Sequence, residues 1–324
     1  MSAAAIDPAL LRGRPVLVTG SGGFVGAALT RRLVELGADV RGLAGPAGEA
    51  ASLRPPPPGV PVAHGEIDDR ALLAELVGGV DVVYHAAGPP SVAASFEAPA
   101  HYLRVHAAGT AALLEACAAA GVARLVHVSS AEVYGPSIGE VAEDHPRAPR
   151  SPYGVAKLAA ELVIETWAAR AGFLATVIRP FSLYGPGSSP RSLVAQLLAQ
   201  LGDPAARSMR VADPRPVRDH CFIDDAADAI ARAGLREGEP VRAYNLASGH
   251  GASVADVARA LARAAGRGEL PLEVAASDRP AAAVTLALIG NPARARAELA
   301  IAAATSLDDG LARTWAAWID GARG

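Results

Sequence analysis

A chain of 324 residues, 51% of them hydrophobic, can bury a large core and suits one α/β unit with an added lobe. A formal net charge of -3, with 19% charged residues, gives no electrostatic reason to take nucleic acid or an anionic membrane as partner. Two cysteines, Cys117 and Cys221, suggest no disulfide framework and fit a reducing, cytoplasmic setting; residues 1–15 lack a signal-peptide pattern, and no apolar run has the length of a membrane span.

The first predicted strand, 16–19, runs into a glycine turn and a helix over 26–36. A strand at 39–43, a stiff proline turn at 55–58 and a strand at 60–63 lead to a helix at 70–77. A strand at 81–85 precedes a long helix at 98–120, and a strand at 124–129 precedes another at 152–171. Strands at 175–179 and 243–246 and helices at 224–235 and 254–265 complete the pattern. Such alternation predicts a doubly wound parallel sheet, covered on both faces, with right-handed crossovers. After Pro180 the alternation loosens. Residues 13–180 with 217–247 are therefore expected to form a Rossmann dinucleotide-binding domain, and 181–216 with 248–324 a smaller substrate-binding lobe.

Thr19-Gly20-Ser21-Gly22-Gly23-Phe24-Val25-Gly26 follows a strand and opens a helix, the context that makes a glycine fingerprint credible. Gly20 permits the turn, Gly23 lets the backbone approach a pyrophosphate, and Gly26 lets helix and strand pack closely. The helix start then offers free N–H groups to the phosphates. The acidic residue that usually ends the second strand and holds the adenine ribose is absent: Ala44 stands there, and no Arg follows at Gly45 for a 2′-phosphate. Glu49 in the next loop is the acidic residue expected to reach in instead. NAD and NADP both remain open.

Tyr153 and Lys157 lie four apart at a helix start and so share a face. A phenol near pKa 10 is too weak a base at neutral pH. A nearby ammonium and a positive nicotinamide ring favour the phenolate, which can then take a proton from a sugar hydroxyl while hydride leaves the same carbon. Ser130 closes the strand at 124–129, where ligands sit in this fold class, and can hydrogen-bond the reacting oxygen. The histidines show no metal-ligand spacing, and no metal is implied.

These motifs resemble the extended short-chain dehydrogenase/reductases, the NAD-dependent epimerase/dehydratase family. The likeness spans nearly the whole chain: residues 19–26, His85-Ala86-Ala87-Gly88, Gly109-Thr110, 129–135, 151–157, Arg179-Pro180, 184–187, Arg218-Asp219, 223–225, Tyr244-Asn245-Leu246 and 306–318. Residues 185–193, 218–219 and 289–292 look closest to the GDP-mannose dehydratase and GDP-4-keto-6-deoxymannose reductase branch. The resemblance implies that Phe24, Val25, Ala86, Ala87, Gly88, His106 and Pro180 join the glycines, Tyr153 and Lys157 around the cofactor. It puts Glu66 and Ile67 at the adenine, Ser182 with Ser130 at the substrate, and Arg218 on the nucleotide diphosphate, a task suited to a guanidinium. His106 and Ser182 depart from the family's usual Asn. Glu132 matches the base of sugar 4,6-dehydratases, a role it takes only if the chain dehydrates.

The expected activity is hydride movement at C4 of a nucleotide-linked hexose, with 4-epimerisation ahead of 4-keto-sugar reduction or 4,6-dehydration. A non-catalytic dinucleotide-binding sensor or scaffold is the reading from another class. A homodimer through the helices at 98–120 and 152–171 is expected, with two-fold symmetry.

Overall fold

The computed structural model describes residues 7–46, 55–137, 139–275, 287–301 and 303–323. In chain order the regular elements begin with β1 (Pro15–Thr19), α1 (Phe24–Glu35), β2 (Asp39–Ala44), β3 (Val62–His64), α2 (Arg70–Val77) and β4 (Val82–His85). Then come α3 (Val92–Glu97), α4 (Pro99–Leu103), a π-helical turn (Arg104–Ala108), α5 (Gly109–Ala120), β5 (Arg124–Val128), β6 (Glu140–Val141) and α6 (Pro152–Ala171). The chain continues through β7 (Leu174–Pro180), β8 (Ser182–Tyr184), α7 (Leu193–Gly202), β9 (Met209–Val211), β10 (Val217–Phe222), α8 (Ile223–Ala233) and β11 (Val241–Leu246). Last are β12 (Gly251–Ser253), α9 (Val254–Ala264), β13 (Leu272–Val274), β14 (Ala287–Gly290), α10 (Ala293–Leu299) and α11 (Leu307–Arg323).

Seven strands form one parallel sheet in the order β11-β7-β5-β4-β1-β2-β3. The doubly wound order of the expected fold is therefore present, with crossovers placing helices on both faces. One apolar core joins Val16, Val18, Val126 and Ile178 to α1, α8 and α10; the other joins Leu17, Val83, Leu125 and Val177 to α2, α5 and α6. Strand residues alternate between these cores because their side chains alternate faces. Helix starts are set locally. The Asp69 carboxylate accepts from Ala71 N and Leu72 N, and Ser151 Oγ accepts from Gly154 N with Pro152 in the first turn. Gly172, at φ 76°, closes α6 in the left-handed conformation.

Two of the differences from the expected elements have a local cause. The helix at 98–120 is interrupted: Pro99 starts α4, a π turn follows, and Gly109 starts α5. The widened turn sets the His106 ring against Gly88, where an added Cβ would lie 2.2 Å from His106 Cε1. Gly109 in turn lets α5 sit on Ile67, whose Cγ2 would be 2.4 Å from a Cβ there. Such turns recur at functional sites. The strand at 60–63 begins later, at Val62, because Pro61 has no N–H for the ladder; its carbonyl accepts from Gly42 N instead.

Residues 217–247 divide. Strand β11 edges the parallel sheet and α8 packs on α1, while β10 builds a second sheet with β12, β14 and β8, and β14 carries on to β6. This sheet lies over the carboxyl ends of the main strands and supplies the opposite wall of a cleft.

Candidate active site

The glycine turn is held by backbone contacts that admit no side chain at Gly20 or Gly26. Gly20 has φ 72°, and a Cβ on it would meet Ala86 O at 2.7 Å and Ala87 Cα at 2.8 Å. A Cβ on Gly26 would lie 2.0 Å from Gly20 O, and one on Gly23 3.3 Å from it. The turn thus presses against the end of β4 and aims the first turn of α1 into the cleft. His85 fastens the floor: Nδ1 pairs with Thr19 Oγ1 at 2.7 Å and Nε2 with Thr110 Oγ1 at 2.9 Å. Burial, helped by the Lys157 ammonium, pushes its pKa down to about 3, so a neutral imidazole joins β1, β4 and α5.

The cleft has a volume of about 520 Å³. Phe24, Val25, Gly23 and Gly26 line one side with Ala86 and Gly88; Ser130, Glu132, Tyr153, Lys157, His106 and Pro180 line the floor; Ser182 and Arg218 face them from the second sheet. A smaller cleft of about 190 Å³ adjoins it, lined by Gly20, Gly22, Gly23, Ala44, Gly45, Ala86 and Gly88. Of the two residues expected at the adenine, Ile67 is buried beneath Gly109 and the Glu66 carboxylate pairs with Arg104 at 3.5 Å. Glu49 lies outside the described residues.

Tyr153 is buried, with its ring edge-on to those of His106 (centroids 5.5 Å apart) and Tyr102 (6.1 Å). Burial pushes the phenol up to about 12, opposed by its hydrogen bond with Ser130. Lys157 donates to Val128 O at 2.8 Å, and burial brings its ammonium down to about 7, opposed by Glu161. Burial is thus the largest influence on both groups, raising the phenol and lowering the ammonium. His106 pairs through Nε2 with Pro89 O at 3.1 Å and leaves Nδ1 buried without a partner. Burial raises the Glu132 carboxyl and lowers the Arg218 guanidinium, and in each the other's charge opposes the shift. A carboxyl and a guanidinium thus feel each other's charge within the cleft.

Several lining residues escaped the sequence reading. Ser188, Ser189, Arg191 and Ser192 come from the segment between β8 and α7, and Leu288 from β14. The Gly185-Pro186-Gly187 punctuation marks that segment as a turn, but no spacing ties it to Tyr153. Among the described residues no group of three or more His, Cys, Asp or Glu is placed to hold a metal, and no helix is long and apolar enough to cross a membrane.

The cradle fits a dinucleotide: glycine backbone at van der Waals contact, a helix start, and a floor of Tyr, Lys and Ser at the strand ends. Comparison with known proteins agrees. Residues 16–247 match the NAD dependent epimerase/dehydratase family. A UDP-glucose 4-epimerase of Azospirillum brasilense is 31% identical over 298 residues, covering 82% of this chain and 84% of that protein. A UDP-glucose 4-epimerase of Mycolicibacterium smegmatis is 33% identical over 266 residues, covering 79% and 84%. The solved structure of a dTDP-glucose 4,6-dehydratase from Streptomyces venezuelae, with NAD bound, superposes with a TM-score of 0.85 at 29% identity over 96% of this chain and 98% of that one.

Proposed function

The chain belongs to the NAD-dependent epimerase/dehydratase family, and we propose that it is a nucleotide-sugar 4-epimerase moving hydride at C4 of a nucleotide-linked hexose. The observation that carries this reading is the meeting of Ser130, Tyr153 and Lys157 in one cleft with the start of α1, facing Arg218. In this reading the glycine turn at Gly20, Gly23 and Gly26 and the start of α1 would hold the cofactor, which would supply a reversible hydride acceptor beside C4. Ser130 bonds the C4 oxygen, and the Tyr153 phenol moves that oxygen's proton. Arg218 and Ser182 hold the diphosphate from the opposite wall. Lys157 supplies positive charge beneath the phenol, and the enclosed floor keeps water from the reacting carbon.

The cofactor is proposed to be NAD. No Lys or Arg stands among the described residues lining the smaller cleft to take a 2′-phosphate, and Arg41 is bonded to Leu76 O and Gly78 O at 3.3 and 2.9 Å. The protein is further proposed to be a homodimer through α4, α5 and α6. On and beside these helices Phe96, Leu103, Val155, Leu162 and Trp167 remain exposed, more large apolar surface than a lone helical face needs. Light scattering at micromolar concentration giving the monomer mass would refute the dimer.

Dehydration is the second reading, favoured by Glu132 in the cleft; the Ala131 beside it supplies no partner acid. Incubation with a panel of nucleotide sugars, followed by NMR and by the absorbance of reduced nicotinamide, separates the outcomes. A C4 epimer without net absorbance change supports the proposal. A 4-keto-6-deoxy product makes the chain a dehydratase, stoichiometric oxidation of reduced cofactor makes it a reductase, and dinucleotide binding without turnover makes it a sensor.

A further inference from the structure

The chemistry just described leaves one buried carboxylate unused. Glu161 is fully buried on α6, one helical turn after Lys157. Its Oε1 accepts from Ser129 Oγ at 2.5 Å and from Arg179 Nε at 3.0 Å. Its Oε2 accepts from Arg179 Nη2 at 2.7 Å and from Arg147 Nη1 at 3.1 Å. Arg147 also bonds Glu165 at 2.5 Å, and Arg179 donates to Tyr134 OH at 2.8 Å and Glu143 O at 3.0 Å. Ser129 directly precedes Ser130, the hydrogen-bond partner of Tyr153. Glu161 therefore ties the end of β5 and the strand β7 to the helix that carries both Tyr153 and Lys157.

The charges around Lys157 are few. Three imidazoles face it: His85 from β4, His127 from β5 and His106 from the π turn. Burial holds all three neutral at working pH, at about 3 for His85 and about 2 for His106. The Tyr153 phenol on the same helix is neutral too. Among the described residues, Glu161 is the one charged group that opposes the loss of the ammonium. Two cations, Arg179 from β7 and Arg147 from the segment before α6, face Glu161 in turn, and Glu165 partly offsets Arg147.

We propose that Glu161 is a positioning residue of this site: it locks Ser129, and with it Ser130, against α6, and supplies the counter-charge that keeps Lys157 an ammonium beside Tyr153. Its effect on turnover rests on the hydride-transfer reading; the charge relation belongs to the protein without substrate.

The sequence offers a direct probe, since Lys157 is its only lysine among 30 basic Lys and Arg residues. Protein labelled with ¹³C at lysine Cε gives one such signal, and its shift titrates Lys157 alone. The wild-type midpoint is expected near neutral pH. Glu161→Gln keeps the side-chain shape and removes the charge, and should lower the midpoint by about one pH unit or more. A folded Glu161→Gln protein, checked by circular dichroism, with an unmoved midpoint overturns the proposal. Should that variant fail to fold, Arg147→Gln decides: its side chain is 26% exposed, and its removal takes a cation from Glu161, so the midpoint should rise. An unmoved midpoint there overturns the proposal equally. With a confirmed substrate, Glu161→Gln should also shift the alkaline limb of kcat to lower pH while KM holds. If no nucleotide sugar turns over, the functional reading fails while the titration still answers for Glu161.

Discussion

Lys157 Nζ lies 6.0 Å from the centre of the Tyr153 ring, one turn along α6, and gives its hydrogen bond to Val128 O rather than to the phenol. The two groups are thus close enough to share a field but not a proton. Burial shifts each toward its neutral form, the phenol up to about 12 and the ammonium down to about 7. A positive ring bound above them would pull the phenol back down.

Tyr153→Phe tests the proton step. The substitution keeps the ring against His106 and Tyr102 and deletes only the oxygen. Turnover on a confirmed nucleotide sugar should fall by roughly 10²–10⁴, mainly in kcat, while dinucleotide affinity by calorimetry stays unchanged. Wild-type turnover would show that another group moves the proton.

Gly23→Asp tests the cradle. The backbone there is extended, and an added Cβ meets only Gly20 O at 3.3 Å, so the fold should survive. The new carboxylate would occupy the pyrophosphate's place at the start of α1 and lower dinucleotide affinity by about ten-fold or more. Gly26→Ala should instead lower thermal stability, because its Cβ would sit 2.0 Å from Gly20 O and the turn must move. Calorimetry and melting curves distinguish the two effects.

Lys157→Met should stabilise the ligand-free protein in a pH-dependent way. Burial, opposed by Glu161, lowers the folded pKa to about 7 from 10.5, so the unfolded chain binds the proton more readily. The cost to the wild type is therefore full below pH 7, shrinks as pH rises from there, and vanishes above about 10.5. The melting-temperature advantage of the variant should follow that course. An advantage that grows with pH would contradict the assignment.

His127→Leu should also stabilise. Both ring nitrogens are fully buried without a partner, and each unmet polar group costs about 1–3 kcal/mol. Burial, with smaller contributions from Lys157, His85 and His106, holds the folded pKa well below 6.5. Below 6.5 the unfolded chain takes a proton that the folded chain refuses, so stability is lost as pH falls. The variant's advantage in urea unfolding should therefore widen below pH 6.5. Equal or lower stability throughout would mean that the imidazole is satisfied by bound water.

The parts legible in the chain alone were those whose physics is local. Gly20 and Gly23 sit between a strand and a helix and Gly26 in that helix's first turn, and the strand–turn–helix pattern that marks them is complete within a dozen residues. Tyr153 and Lys157 share a face because a helix repeats every 3.6 residues. Alternating strands and helices implied the parallel sheet, since a parallel crossover needs a helix-length connection. Other features needed long-range packing. The π turn that presents His106 answers to Gly88 and Ile67, not to its own sequence. The second sheet pairs Arg218 with Ala252 on one side and Leu288 on the other, in strands too short to show a period. The carboxylate of Glu161 acquires its partners from Ser129, Arg147 and Arg179, three segments with no common spacing. Spacing along a chain encodes contacts within one turn or one pleat; the floor and far wall of this cleft are made of contacts between distant strands, which only the folded sheet brings within hydrogen-bond reach.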